Sequence, residues 1–237
     1  MSVIAEAVER DGYCLVREVI AAARVDALVA ALSEIDGAAV RRRGEMYAIR
    51  NVFDTSPAVC ALAQSPEIRA LAAAVLGEEC FAIQAVLLDK IPGANWKVPF
   101  HQDLYVPLAR RVDAAEAAGY SGWSDKAGVD HAKPPVAVLE SVLTLRIHLD
   151  DCDESQGPLR VLPGSHRSGE LDAGAIRRRV EEARSVACVA PRGSVLLLRP
   201  LLLHASSPAE NPGHRRVLQL QYTNYELPEN LAWHARI

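Results

Sequence analysis

The chain has few cysteines, and none of them is paired by spacing. Cys14, Cys60, Cys80, Cys152 and Cys188 are scattered and odd in number, and no CxxC occurs. That argues against a disulfide framework and a cysteine zinc site, and it suits a reducing compartment. No run approaches the ~20 apolar residues that a membrane span requires. The opening MSVIAEAVERDG lacks the basic stretch and long apolar core of a secretory signal. Long blocks of one charge are also missing. The net charge is −4, and the arginine triplets at 41–43 and 177–179 have Glu45, Glu181 and Glu182 close by. Solvated faces explain them better than a nucleic-acid footprint. The expectation is a soluble cytoplasmic protein with no nucleic-acid partner and no membrane partner.

With 237 residues, half of them hydrophobic and 24% charged, the chain suits one large folded domain. Residues 3–77 read as helical with short interruptions. GYCLVREV (12–19) looks like a strand, and Val25, Leu28, Val29 and Leu32 set a helical period that Gly37 stops. Ser56-Pro57 and Ser65-Pro66 each combine a cap with a first-turn proline, which predicts two helices over 56–79. From Cys80 onward, strand-like runs follow one another at 80–91, 138–151, 158–163, 186–191, 194–200, 201–207 and 215–224. Turn chemistry such as Pro92-Gly93, Pro163-Gly164 and Asn211-Pro212-Gly213 joins them. Many short strands indicate a sandwich or barrel, interrupted by one helix near 172–184. Residues 107–135 are polar, rich in Gly and Ala, and long for a connection, which suits a functional lid or a disordered insert.

Within this β-rich half lies FHQDLYVP (100–107). On a strand, residues i and i+2 share a face, so His101 and Asp103 could converge on one ion. HxD alone is a common tripeptide, and a wet strand face explains it equally well. His204, at the end of SVLLLRPLLLH, is either a satisfied core histidine or an inward-pointing third ligand. Two histidines and one carboxylate leave three coordination positions open, the arrangement suited to Fe(II). An arginine 11 residues past His204 could grip a carboxylate through two parallel bonds.

The stretches DGYCLVREVI, KIPGANWKVPFHQDLYVP, LRIHLDDCDESQGPLRVLPGSHRSGEL and LLLHASSPAENPGHRRVLQLQY together resemble the phytanoyl-CoA dioxygenase-like Fe(II)/2-oxoglutarate oxygenases. The resemblance covers nearly the whole chain, and GPLRVLPGSH is its most distinctive piece. It implies a mainly β protein with flanking helices: a double-stranded β-helix, or jelly-roll, core behind an N-terminal helical support. The chain would then be a single domain over 1–237, with the support at 1–79, the core at 80–226 and the insert at 107–135. By the same resemblance His101, Asp103 and His204 match the iron ligands. Arg215 matches the arginine that pairs with the C5 carboxylate of 2-oxoglutarate, and Ser206 the small polar residue near it. Gln84 and Lys90 fall where cosubstrate or substrate contacts occur, and Trp123 in the insert is a candidate substrate contact. Fe(II), 2-oxoglutarate and O₂ would act on a small metabolite or natural-product-type molecule, most simply by hydroxylation, releasing succinate and CO₂. The presence of Asp103 favours that outcome, because halogenating relatives lack the carboxylate. A monomer or homodimer is expected.

One conflict comes from alternation. In RRVLQLQY, the leucines share a face with Arg216, whereas spacing from His204 favours Arg215; spacing is given the greater weight. Arg50-Asn51 could reach the pocket from the helical part, although the sequence gives no geometry for it, and the charge pattern reveals no basic groove for a CoA-like substrate. The acidic turn at 150–154 lacks EF-hand spacing, and adjacent Ser165-His166 is a structural turn rather than a nucleophile–base pair. Two rivals remain: a metal-dependent jelly-roll hydrolase or isomerase, and a non-catalytic binding member of the fold.

Overall fold

Alternation organises the β-half of the chain. The computed structural model describes residues 2–113 and 119–237, and its strands follow in order. They are β1 (Tyr13–Val16), β2 (Val40–Arg43), β3 (Glu45–Ile49), β4 (Phe81–Asp89), β5 (Val98–His101), β6 (Val106–Leu108) and β7 (Ser121–Asp125). Then come β8 (Asp130–Lys133), β9 (Val142–His148), β10 (Leu159–Val161), β11 (Val186–Cys188), β12 (Val195–Leu198), β13 (His204–Ser206) and β14 (Arg216–Thr223). The helices are α1 (Val3–Asp11), α2 (Ala22–Ser33), α3 (Pro57–Ala63), α4 (Pro66–Leu76), α5 (Val136–Glu140) and α6 (Ala173–Glu182).

A seven-stranded antiparallel sheet runs β1-β12-β9-β14-β4-β3-β2, and a four-stranded sheet runs β11-β10-β13-β5. The chain passes repeatedly between the two, from β4 to β5, β9 to β10, β11 to β12 and β13 to β14. That alternation is the jelly-roll winding. On the larger sheet's outer face, Leu143, Leu145, Ile147, Leu218, Leu220 and Tyr222 pack against residues of α1–α4 such as Val8, Val25, Leu62 and Ile68. Both Leu62 and Ile68 are fully buried, and truncating either to Ala is expected to cost about 2–5 kcal/mol. The opposite face carries Gln84, Thr144, Arg146, Gln219 and Gln221. Sheet against sheet, Leu196 and Leu198 meet Leu159, Val161 and Cys188. This apolar plug closes one end and leaves a polar cavity at the other.

Several sequence expectations need correction. The segment 40–49 lies inside a stretch read as helical, yet it forms the β2–β3 hairpin on the edge of the large sheet. Its arginine-rich strand concealed the alternation. The run at 138–151 begins as the end of α5 and becomes strand only at Val142. Ser56 accepts a bond from Val59 N and caps α3. Ser65 instead donates its hydroxyl to Leu62 O at 2.7 Å, satisfying the end of α3 rather than capping α4. Within 107–135 the described residues form a third sheet, β6-β8-β7. Residues 114–118 of that insert lie outside the described residues. Among the described residues, no single helix is long and apolar enough to cross a membrane. The α3–α4 pair, bent by 51°, is apolar because it packs on the sheet.

Candidate active site

His101 closes β5 and His204 opens β13, and the two strands pair directly at these residues. The register sets the imidazoles side by side, with ring centroids 4.3 Å apart. Asp103 follows on the exit of β5, its backbone N–H held by Pro200 O at 2.9 Å. Its two carboxylate oxygens lie 3.7 Å from His101 Nε2 and 3.7 Å from His204 Nε2. An ion with ~2.1 Å bonds to both donors of a pair requires them to be within ~4.2 Å, and both pairs meet that limit. All three donor sets fall within 4.8 Å of one another.

Each imidazole is also oriented. His101 Nδ1 lies 3.0 Å from Pro99 O, and His204 Nδ1 lies 2.8 Å from Leu202 O. A carbonyl only accepts, so each Nδ1 carries a proton and Nε2 is the ring atom left to face an ion. Burial pushes the pKa of His204 down to about 4, which keeps it neutral. These residues therefore fit a divalent ion with open positions.

The residue between the ligands faces the other way. Gln102 is buried and bonds Gly169 O at 2.8 Å, Leu201 O at 2.7 Å and Leu171 N at 2.8 Å. It fastens the ligand-bearing strand exit to the chain on either side. The PGSH turn has a similar duty. Ser165 Oγ accepts from Leu203 N at 2.8 Å, and Leu162 N donates to Leu203 O at 2.9 Å. The residue before His204 is thus braced on both sides, a physical account of a motif that carries no ligand. His166 Nε2 lies 3.2 Å from Glu9 O, away from the triad. In the acidic turn, Asp150 pairs with Arg216, Asp151 accepts from Arg192 N, and Asp153 caps a short helical turn.

The triad opens into a cavity of about 440 Å³. Arg215, 4% exposed, lies in its wall and donates from Nη1 to Gly157 O at 2.7 Å, while its Nε has no partner. Arg216 faces outward against Asp150, 2.6 Å away. Of the two arginines, Arg215 is the one that lines the cavity. The leucine face of β14 is buried against helices, and the polar face is turned to the cavity. Asp89 fixes this strand start by accepting from Arg215 N at 2.9 Å.

Lys90 donates to Ser206 Oγ at 2.5 Å and to Ser207 O. Burial and the charge of Arg215 lower its pKa to about 7. Gln84 also lines the cavity and meets His131 Nε2 at 2.8 Å. His131 has its Nδ1 on Val129 O and is held neutral by burial, with a pKa of about 4, so the Gln84 amide is the donor. Trp123 is a correction: it packs in the cluster of Val106, Leu108 and Tyr120 and does not line the cavity. Tyr105 and Trp96 are the aromatic residues of the wall.

Sequence reasoning missed Arg146, Lys126 and His131 in the cavity. Arg146 donates to Gln219 Oε1 at 2.7 Å, and its Nε has no partner. Burial lowers its pKa to about 10. A signal was present, because Thr144, Arg146 and His148 alternate with Leu143, Leu145 and Ile147. A polar face on a strand buried on both sides marks a cavity.

No curated protein matches the chain. Its fold matches solved structures at low identity. AviO1 from Streptomyces viridochromogenes Tue57 is 23% identical with a TM-score of 0.66, covering 95% of each chain. EctD from S. alaskensis, solved with 2-oxoglutarate and 5-hydroxyectoine, is 22% identical with a TM-score of 0.72, over 94% of this chain and 76% of that one. The epimerase SnoN, in complex with Fe³⁺, alpha ketoglutarate and nogalamycin RO, is 19% identical with a TM-score of 0.69, over 98% and 92%. Residues 8–217 match the family model for phytanoyl-CoA dioxygenase, and the chain belongs to that family of Fe(II)- and 2-oxoglutarate-dependent oxygenases.

Proposed function

We propose that His101, Asp103 and His204 hold the iron and that the chain oxidises a small-molecule substrate, most simply by hydroxylation. The convergence of three donors whose imidazole tautomers are already fixed by backbone carbonyls carries this reading. Arg215 receives the distal carboxylate of 2-oxoglutarate, with Ser206 and Lys90 beside it. Iron, 2-oxoglutarate and O₂ together supply the oxidising chemistry and release succinate and CO₂. The protein's own part is to orient and to exclude water. Gln102 and Ser165 keep the ligand segments in register. The apolar plug closes the barrel behind the site. Gln84, locked by His131, is a candidate substrate contact. We read residues 107–135 as a lid over this cavity, to which Lys126 and His131 belong. From charge and unpaired thiols we place the chain in the cytoplasm, as a monomer or homodimer without nucleic-acid or membrane partners.

A hydrolase or isomerase of the same fold has no use for a buried carboxylate clamp, so Arg215 favours the oxygenase reading. Anaerobic addition of Fe(II) and 2-oxoglutarate should produce a weak visible charge-transfer band, and O₂ should then release succinate. Both signals should vanish in His101→Ala. If they persist in that variant, the iron assignment is wrong.

A further inference from the structure

Arg50 and Lys126 come from distant parts of the chain and line the same cavity, close enough for the charge of one to act on the other. Arg50 follows β3, and Lys126 sits in the turn after β7. Asn51 joins them: buried, with left-handed backbone (φ 51°), it donates its amide to Lys126 O and Ala127 O at 3.1 Å each. Both cations line the cavity that contains the triad. Burial and the neighbouring Arg41 lower the pKa of Arg50, and burial and Arg50 lower that of Lys126. Among the described residues, Asp103 is the carboxylate whose field reaches Lys126, and the iron would take that charge.

Arg50 also faces an adjoining groove of about 340 Å³, whose lining includes Arg41, Arg43, Tyr47 and Trp96 and, among the described residues, no carboxylate. A basic groove does exist, contrary to the sequence reading, because the β2–β3 hairpin gathers its arginines on one side. Among the described residues that line the cavity, Arg50, Lys90, Lys126, Arg146 and Arg215 face one carboxylate, that of Asp103. The charges of Fe(II) and the 2-oxoglutarate dianion cancel, which leaves the excess of cations intact. Holding like charges together in a partly dry cleft is unfavourable until an anion arrives.

We propose that the substrate carries an oxyanion group, a phosphate or a carboxylate, bound between Arg50 and Lys126 while its uncharged end faces the triad. The role of substrate rests on the oxygenase reading; the anion site itself does not. Titration calorimetry on the metal-free, full-length chain tests it with inorganic pyrophosphate and, separately, tricarballylate. The wild-type chain should bind at least one, and the one it prefers distinguishes phosphate from carboxylate. In the double variant Arg50→Gln with Lys126→Gln, binding should weaken fivefold or more. The charge-conserving pair, Arg50→Lys with Lys126→Arg, should keep it. Absence of binding in the wild-type chain, or a change below fivefold in the glutamine pair, overturns the proposal. So does an equal loss in the charge-conserving pair. Because no iron is present, this result stands apart from the charge-transfer experiment, and either can fail alone.

Discussion

On the cavity wall Lys90 lies beside Arg215 and the Ser206 hydroxyl, with its pKa near 7 from burial and from that guanidinium. An unfolded lysine titrates near ~10.4. The unfolded chain therefore binds the extra proton between about pH 7 and ~10.4, and this residue's penalty on folding is full below pH 7 and fades as pH rises. Lys90→Met should accordingly stabilise the ligand-free chain most at pH 6 and least near pH 10, as read by denaturant titration. A dianion arriving beside Lys90 favours its protonated form. Binding of 2-oxoglutarate should thus take up a fraction of a proton at pH 7.5 and almost none at pH 6, a difference measurable by calorimetry in buffers of different ionisation enthalpy. Arg215→Ala removes a buried clamp and should raise the dissociation constant for 2-oxoglutarate ~100-fold, about 3 kcal/mol. Gln102→Ala leaves one buried and two half-buried backbone groups unpaired. It should lower stability by about 2–3 kcal/mol and weaken iron binding as well.

Among the elements, the end of β13 is the tightest junction. Gly157 has φ +61°, and a Cβ there would meet Ser207 O at 2.3 Å and Pro208 O at 3.0 Å. Its own carbonyl accepts from Arg215. Gly157→Ala should therefore displace both the Ser206 strand and the arginine clamp. Thermal melts should record a loss of about 2–3 kcal/mol, and 2-oxoglutarate affinity should fall with it. Strand existence was legible wherever apolar residues dominated, as in β4, β9, β12 and β14. It was not legible in β2, where Val40 is the only buried residue and pairing with β3 supplies what propensity does not. Inward and outward faces were the harder question. A jelly-roll strand has apolar packing on one side and a wet cavity on the other, so the polar face of β14 points in and its leucines point to the helices. Periodicity states that two faces exist; only the neighbouring helices decide which one is the interior.

Across the molecule, the two histidines proposed as ligands are separated by 103 positions (204 − 101), and their meeting depends on pairing between β5 and β13 that no local pattern specifies. Family wording brought those positions together in the sequence reading. Chemistry alone had left His204 open, and Arg50, Arg146 and Lys126 escaped because solvent-facing and cavity-facing cations look alike in a string. Metal and cosubstrate bind only the folded chain, so each should add to global stability. Manganese(II) with 2-oxoglutarate at ~100 times their dissociation constants should contribute about 2.7 kcal/mol or more. In a chain of this size that is a melting-temperature rise of ~5–10 °C, absent in His204→Ala. The carbonyls of Pro99 and Leu202 each orient the imidazole two residues further along the chain, so both rings are positioned by local bonds. Loading and unloading should therefore require no rebuilding of the barrel. A chelator should strip the ion and dialysis return it, or substitute cobalt, at a pace limited by passage through the mouth.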